Sequence, residues 1–152
     1  PMRIEGLFVL NFNVDYFRPV FQGVKAGHYD RANPNITSEN FPSNRETGIK
    51  KIQLRLVHFN RKISTDKALR GLDRQGPRPA TLQECLAFGE RFPTFQSKFP
   101  TAFLDSPWLD LEGRLRCPYL HGRKFERYLG LNLFDREWPE VVWFATVANL
   151  GV

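Results

Sequence analysis

The chain has 152 residues, a formal net charge of +6 and 41% hydrophobic residues. This length and composition are typical of one globular domain, here spanning residues 2–152, and exclude a largely disordered chain. The sequence contains no signal peptide and no apolar run of about 18 residues that could cross a membrane, so we expect no membrane span and take a cytoplasmic location as the default.

The first part of the chain alternates between strand and helix patterns. Residues 3–10 are rich in β-branched and aromatic side chains and predict a strand. Residues 15–26 predict a helix, because four apolar residues recur at helical spacing before Gly27. A polar loop over residues 28–48 leads to a second strand over residues 52–59. The four apolar residues of the helix are Phe17, Val20, Phe21 and Val24.

Two more helices are predicted in the middle of the chain. Ser64 or Thr65 can cap the first of them by accepting a hydrogen bond from a free backbone N–H. Thr81 and Glu84 have the spacing of a capping box, in which each side chain satisfies a backbone N–H of the other residue. This box predicts a helix over residues 82–91.

The C-terminal part predicts a meander of strands with turns at residues 112–113 and 121–124. In residues 128–134, three leucines alternate with other side chains, which is typical of a half-buried strand. Residues 141–148 are apolar on both faces and predict a central strand. The leucines are Leu129, Leu131 and Leu133, and the opposite face carries Tyr128, Gly130, Asn132 and Phe134.

Helices followed by strands predict an α+β fold, with two or three helices packed on a mainly antiparallel, twisted sheet. We also consider that the first strand pairs with the last, which would bring the termini together.

Several short segments resemble a known fold family. Residues 77–84 resemble the helix entry of formylglycine-generating-enzyme-like domains, and residues 143–147 resemble their final strand. Residues 57–61, 88–89 and 117–120 look like segments of a group of small bacterial proteins that resembles the variable proteins of diversity-generating retroelements. The resemblance implies a C-type-lectin-like fold.

The resemblance also implies a non-enzymatic recognition protein with a variable surface near its C terminus and a protein or glycan ligand. An ordinary surface of fixed sequence is the alternative. The oxidase activity of formylglycine-generating enzymes is not implied, because Cys85 and Cys117 lie in different elements; a disulfide between them is left open. The expected ligand-binding residues are His121, Arg123, Phe125, Tyr128, Gly130, Asn132, Asp135, Arg136, Pro139, Val142 and Trp143.

A basic segment indicates an alternative function, nucleic-acid binding. A basic helix over residues 61–78 could bind nucleic acid, whereas a solvated helix face is the simpler interpretation. The basic residues of this segment are Arg61, Lys62, Lys67, Arg70, Arg74 and Arg78.

The sequence contains no catalytic or metal-binding motif. His28, His58 and His121 have no neighbours at metal-ligand spacing, and no nucleophile–base grouping or phosphate-binding glycine loop is present. We therefore predict no metal, no cofactor and no catalytic residue, and we expect His121 to be a contact residue at a loop tip.

Overall fold

The computed structural model describes residues 3–42, 46–105 and 107–149. Within these ranges the fold is α+β, as predicted, with four helices and eleven strands. The helices are α1 (Val20–Ala26), α2 (Thr65–Leu72), α3 (Leu82–Arg91) and α4 (Phe95–Lys98). The strands are β1 (Gly6–Asp15), β2 (Arg31–Ala32), β3 (Ile49–His58), β4 (Ile63–Ser64), β5 (Arg78–Pro79), β6 (Thr101–Ala102), β7 (Trp108–Leu109), β8 (Leu115–Arg123), β9 (Glu126–Leu133), β10 (Glu137–Trp138) and β11 (Trp143–Asn149).

One mostly antiparallel sheet organises the described residues. Its strand order is β1-β3-β11-β6-β8-β9-β2, with β5 added to β11 and β7 added to β8. The pairs β6–β11 and β2–β9 are parallel, and β4 and β10 form a separate two-stranded sheet. The position of β11 between β3 and β6 confirms the predicted central strand.

Each face of the sheet has its own hydrophobic core. On the first face, Leu54, Leu120 and Leu129 are buried against α1 and α3. On the second face, Val57 and Phe144 are buried against α2 and the β4–β10 pair. Because side chains alternate along a strand, neighbours in sequence supply opposite cores.

The two cysteines are free thiols, one in each core. Cys85 of α3 lies in the first core and Cys117 of β8 in the second. Burial raises the pKa of Cys117 to about 12 and that of Cys85 well above its ordinary value. Both thiols are therefore protonated at neutral pH, which makes them weak nucleophiles.

The N-terminal prediction was wrong in two respects. The first strand continues to Asp15, because Phe12 and Val14 alternate into the first core. The helix begins only after Pro19, so Phe17 lies before it and is 72% exposed, and Phe21 lies on the outer side of α1 and is 68% exposed. Only the last seven residues of the predicted helix over residues 15–26 are helical, because Asp15 ends β1 and residues 16–19 form the connection to α1.

The first strand does not pair with the last. Strand β1 pairs with β3 in an unbroken antiparallel register from Gly6 to Asp15, and β3 separates β1 from β11. The hypothesis of directly paired terminal strands is wrong, because β3 pairs with both of them and takes the intervening position.

Both central helices begin as predicted. The Ser64 side chain accepts a hydrogen bond from the Lys67 N–H at the start of α2. Thr81 and Glu84 form the capping box of α3. However, α2 ends at Leu72, so the expected basic helix over residues 61–78 is wrong.

The helices of the described residues are too short and too polar to span a membrane.

The Glu84 carboxylate is fully buried and joins three elements. It accepts a bidentate hydrogen bond from Arg78 of β5, at 2.8 and 2.6 Å. It also accepts from the Tyr16 hydroxyl just after β1, at 2.5 Å, and from the Thr81 N–H, at 2.7 Å. Burial alone would raise the pKa of Glu84, but the hydrogen bonds and charge of Arg78 outweigh it and hold this pKa below its ordinary value.

We expect Glu84→Gln to lower the free energy of unfolding by about 3 kcal/mol or more, because it leaves the Arg78 charge half-buried without its carboxylate. Urea denaturation at pH 7 measures this loss. The matched control is Glu90→Gln on the same helix, whose partly exposed pair with Arg18 should contribute less than about 1 kcal/mol.

The same substitution should change the acid sensitivity of the fold. The pKa of Glu84 is lower in the folded state, so its stabilisation is present above the ordinary value of 4.5. It is lost as the pH falls through the folded-state value. Equal losses for Glu84→Gln and Glu90→Gln would contradict the central role of Glu84.

Candidate functional site

The β8–β9 hairpin presents a half-exposed set of aromatic and polar side chains on the second face of the sheet. Because His121 lies opposite Tyr128, and Tyr119 opposite Gly130, the alternate residues of both strands project on the same side. The adjoining strand β2 adds Arg31, whose Cα partner is Tyr128. We call this set the hairpin face; it comprises Arg31, Tyr119, His121, Arg123, Tyr128, Gly130, Asn132 and Arg136.

The rings of the hairpin face form a continuous row. The Tyr119 and His121 rings are stacked with centroids 4.9 Å apart, and the centroid of Tyr128 is 5.2 Å from that of His121. The row continues beneath the surface to Trp138, which is completely buried and 5.8 Å from Tyr119. Contact between neighbouring rings restricts their rotation, so the row is a preorganised contact surface.

Arginines surround this row. The Arg136 guanidinium lies 4.8 Å from the centre of the Trp138 ring and donates a hydrogen bond of 2.7 Å to Asn132 Oδ1. Arg31 lies 6.0 Å from the centre of the Tyr128 ring. The third arginine, Arg123, lies beside Tyr128 at the end of β8.

Two carboxylates share the edge with these arginines: that of Glu126, and that of Asp30, which accepts a hydrogen bond of 2.7 Å from the Arg127 N–H. The Tyr128 hydroxyl donates a hydrogen bond to Glu126. Hydrogen bonding with Tyr128, together with the charge of Glu126, raises the pKa of Arg123. Three arginines against these two carboxylates leave the hairpin face with a net positive charge, which attracts anionic ligands.

The backbone beneath the row is fixed from the first face. Gln96 of α4 is 1% exposed, and its amide donates hydrogen bonds to the carbonyl oxygens of His121 and Tyr128, at 2.7 and 3.0 Å. A single buried amide therefore holds both strands at the point where the rings of these two residues meet.

A half-buried arginine supports Gln96. Arg127 donates to Gln96 Oε1 at 3.1 Å, to the Gly89 carbonyl of α3 at 2.7 Å, and to the Gly27 carbonyl. Its guanidinium lies 4.6 Å from the centre of the Tyr29 ring. A Cβ atom at Gly89 would lie 2.0 Å from the Tyr29 hydroxyl, so a larger residue there would displace the Tyr29 ring. These contacts tie the hairpin to α3 and to the end of α1.

Partial burial shifts the pKa values of two half-exposed rings of the row. It lowers the pKa of His121, so the neutral imidazole is favoured. It raises the pKa of Tyr119, which keeps that hydroxyl protonated. These two rings are therefore uncharged at neutral pH, and the charge of the hairpin face comes from its arginines and the carboxylates beside them.

The structure brings together six of the eleven predicted ligand-binding residues, namely His121, Arg123, Tyr128, Gly130, Asn132 and Arg136. Phe125 is 94% exposed at the hairpin tip. Asp135 and Pro139 are exposed in the connections that follow β9 and β10, outside the row of rings.

Two predicted ligand-binding residues are instead buried. Val142 is 2% exposed in the second core. Trp143 is 7% exposed and packs on the first face, with its ring 4.8 Å from that of His58 and 5.0 Å from that of Phe8. The expectation that they contact a ligand is wrong, because Val142 is enclosed in the second core just before β11, and Trp143 at the start of the central strand β11 is covered on the first face.

The placement of His121 at a loop tip was also wrong. Strand β8 continues to Arg123, so His121 projects from the strand beside Tyr119. Tyr119 and Arg31 were missed. The alternation of Cys117, Tyr119 and His121 could have indicated the former, whereas the pairing of β2 with β9 gives no local signal for Arg31 because the two strands are far apart in sequence.

The predicted basic segment is only partly available at the surface. Arg78 is engaged by Glu84 in the buried network, and Asp66 and Asp73 lie among the remaining cations. Exposed cations are Arg61, Lys62, Lys67, Arg70 and Arg74.

A separate concavity of about 470 Å³ lies between β1, β3 and α3. It is lined by Asp15, Arg18, Glu90 and Arg91 among others, and Arg18 and Glu90 form an ion pair of 2.8 Å across it. Its charges largely compensate each other, so it offers a weaker basis for recognition than the hairpin face.

Among the described residues, no group of three or more histidine, cysteine, aspartate or glutamate side chains is arranged to hold a metal ion. Comparison with known proteins gave no match: no protein-family model, no curated protein and no solved structure is significantly similar to this chain.

We expect the His121 imidazole to titrate below its ordinary pKa of 6.5, because burial disfavours its charged form. A two-dimensional NMR titration of the ring nitrogens measures the midpoint. The unfolded chain binds this proton more readily, so His121 contributes stability above pH 6.5 that is lost as the pH falls through the folded-state pKa.

The variant His121→Phe keeps an aromatic ring and removes the proton-binding site, so this part of the pH dependence should disappear with it. A midpoint at or above 6.5 in the folded chain would show that the ring is more solvated than its contacts with Tyr119 and Tyr128 imply.

Proposed function

We propose that this protein is a recognition module that binds a negatively charged protein or glycan ligand through the hairpin face. The observation that carries the proposal is the row of touching, half-exposed rings bordered by three arginines. Tyrosine and arginine are enriched where proteins bind partners, because each combines a large contact area with directional hydrogen bonds.

Preorganisation supports the same function. The strands that carry the row are fixed by Gln96 and Arg127 from the opposite side of the sheet. A ligand that binds such a surface does not have to order it first, and this lowers the entropic cost of binding.

The fold family of the scaffold is a second, more specific part of the proposal. A C-type-lectin-like domain with a diversified surface agrees with the α+β fold and with a recognition surface on C-terminal strands. The insertion of β3 between β1 and β11 departs from the expected pairing of the terminal strands. The binding proposal therefore depends on the hairpin face alone, with Val142 and Trp143 assigned to the framework.

An array of acidic peptides and acidic glycans identifies the ligands that the unmodified chain binds. We expect the double variant Tyr128→Ala/Arg136→Gln to bind these ligands at least about 30-fold more weakly, the loss typical of interface hot spots. The matched control is Phe21→Ala/Arg91→Gln, which removes an exposed ring and an exposed cation on the first face.

The control should bind as the unmodified chain does, and circular dichroism should show both variants folded. Equal binding by the hairpin variant and the unmodified chain would refute the assignment of the site.

Nucleic-acid binding is a second candidate, favoured by the exposed cations of α2 and its flanks. This helix packs on the second face, and its first residue, Thr65, accepts a hydrogen bond of 2.9 Å from the Trp138 indole. The start of α2 thus contacts Trp138, which underlies the hairpin face, so the cations of α2 and the rings lie on the same side of the sheet. A single strand that reached both could place its phosphates on the cations and stack its bases on the rings.

If this candidate is correct, a single-stranded oligonucleotide should bind in a salt-dependent way. The variant Lys67→Gln/Arg70→Gln/Arg74→Gln should then reduce the slope of log K against log salt by about 0.7 for each phosphate that the helix no longer neutralises. Fluorescence anisotropy over a salt series measures both quantities. An unchanged slope in this variant would exclude α2 as the binding surface.

A further inference from the structure

The two edges of the large sheet differ in how they are protected. At one edge, β2 has two residues and carries the charged Arg31. At the other edge, β1 has ten residues, and no described strand pairs with its outer side. Natural proteins protect long edge strands with charge, proline, a bulge or a covering element, because the free N–H and C=O groups of an edge recruit further strands.

Strand β1 has none of the local devices. Residues 6–14 contain no charged residue and no proline, and the register with β3 has no bulge from Gly6 to Asp15. Three consecutive hydrophobic residues on this edge are partly exposed: Leu7 is 45%, Phe8 38% and Val9 46% exposed. Such an edge is suited to pairing with another strand.

We infer that β1 pairs in antiparallel fashion with β1 of a second copy of this chain, so that the two sheets become continuous. The strand is complementary to itself. A register centred on Val9 places Phe8 opposite Leu10 and no like charges opposite each other. If the pairing continues through the three residues before β1, the same register brings Arg3 of each copy next to Asp15 of the other, which adds two pairs of opposite charge.

The two-fold symmetry of this arrangement makes the interface isologous, the type found in most homodimers. The hairpin face lies towards the other edge of the sheet, so pairing through β1 leaves it accessible. The dimer therefore does not depend on the proposed function, and either proposal can fail without the other.

The test is the molar mass of the full chain in solution, measured by light scattering after size-exclusion chromatography over an about hundredfold range of protein concentration. We expect a species of twice the 17.7 kDa of one chain. Val9→Lys should abolish it, because a lysine on an edge strand opposes pairing. The matched control is Val141→Lys, at an exposed position outside β1, which should remain dimeric.

A second variant tests the register. Val9→Cys should form an intermolecular disulfide on mild oxidation faster than Val141→Cys does, while the buried Cys85 and Cys117 stay reduced. A monomeric mass for the unmodified chain at every concentration, or a dimer that survives Val9→Lys in a folded variant, would overturn the proposal. Equal crosslinking of the two cysteine variants would overturn the register.

Discussion

The buried carboxylate of Glu84 fixes the position of α3, and the hairpin depends on that position. The donors around this carboxylate come from the end of β1, from β5 and from the start of α3, so its burial requires these three elements to meet at one point. The far end of α3 then supplies the Gly89 carbonyl that accepts from Arg127, and Arg127 supports Gln96. The ring surface is thus positioned by polar groups that are themselves largely buried.

The exposure of the rings follows from how the second face is covered. Leu120 and Leu129 must enter the first core, and the pleat then sends His121 and Tyr128 to the opposite side. Helix α2 has only eight residues, too few to cover that side as far as the hairpin. The hairpin face is therefore a part of the large sheet that no described helix covers, which explains why its residues are aromatic and polar rather than aliphatic.

Local signals predicted some elements well and failed where the outcome depended on distant contacts. The capping box fixed the start of α3, because its hydrogen bonds lie within one helical turn. The leucine alternation identified the strand, but Leu129 alone of the three is fully buried. Strand β2 pairs beside Leu129 but not beside Leu131 and Leu133. The order of the strands could not be read locally: β3 enters between β1 and β11 because of pairing over tens of residues. The same long-range pairing decided that Trp143 is buried.

The strand order also determines the distance between two hairpin faces in the proposed dimer. Five interstrand steps separate β1 from β9 in each copy, and the new β1–β1 pair adds one more. At about 4.8 Å for each step, the two copies of β9 lie roughly 50 Å apart in a flat sheet, and somewhat closer in a twisted one. A small ligand cannot span this distance. Dimerisation would therefore increase the apparent affinity only for ligands that repeat the same feature along a polymer or across a surface, because only these can occupy both hairpin faces at once.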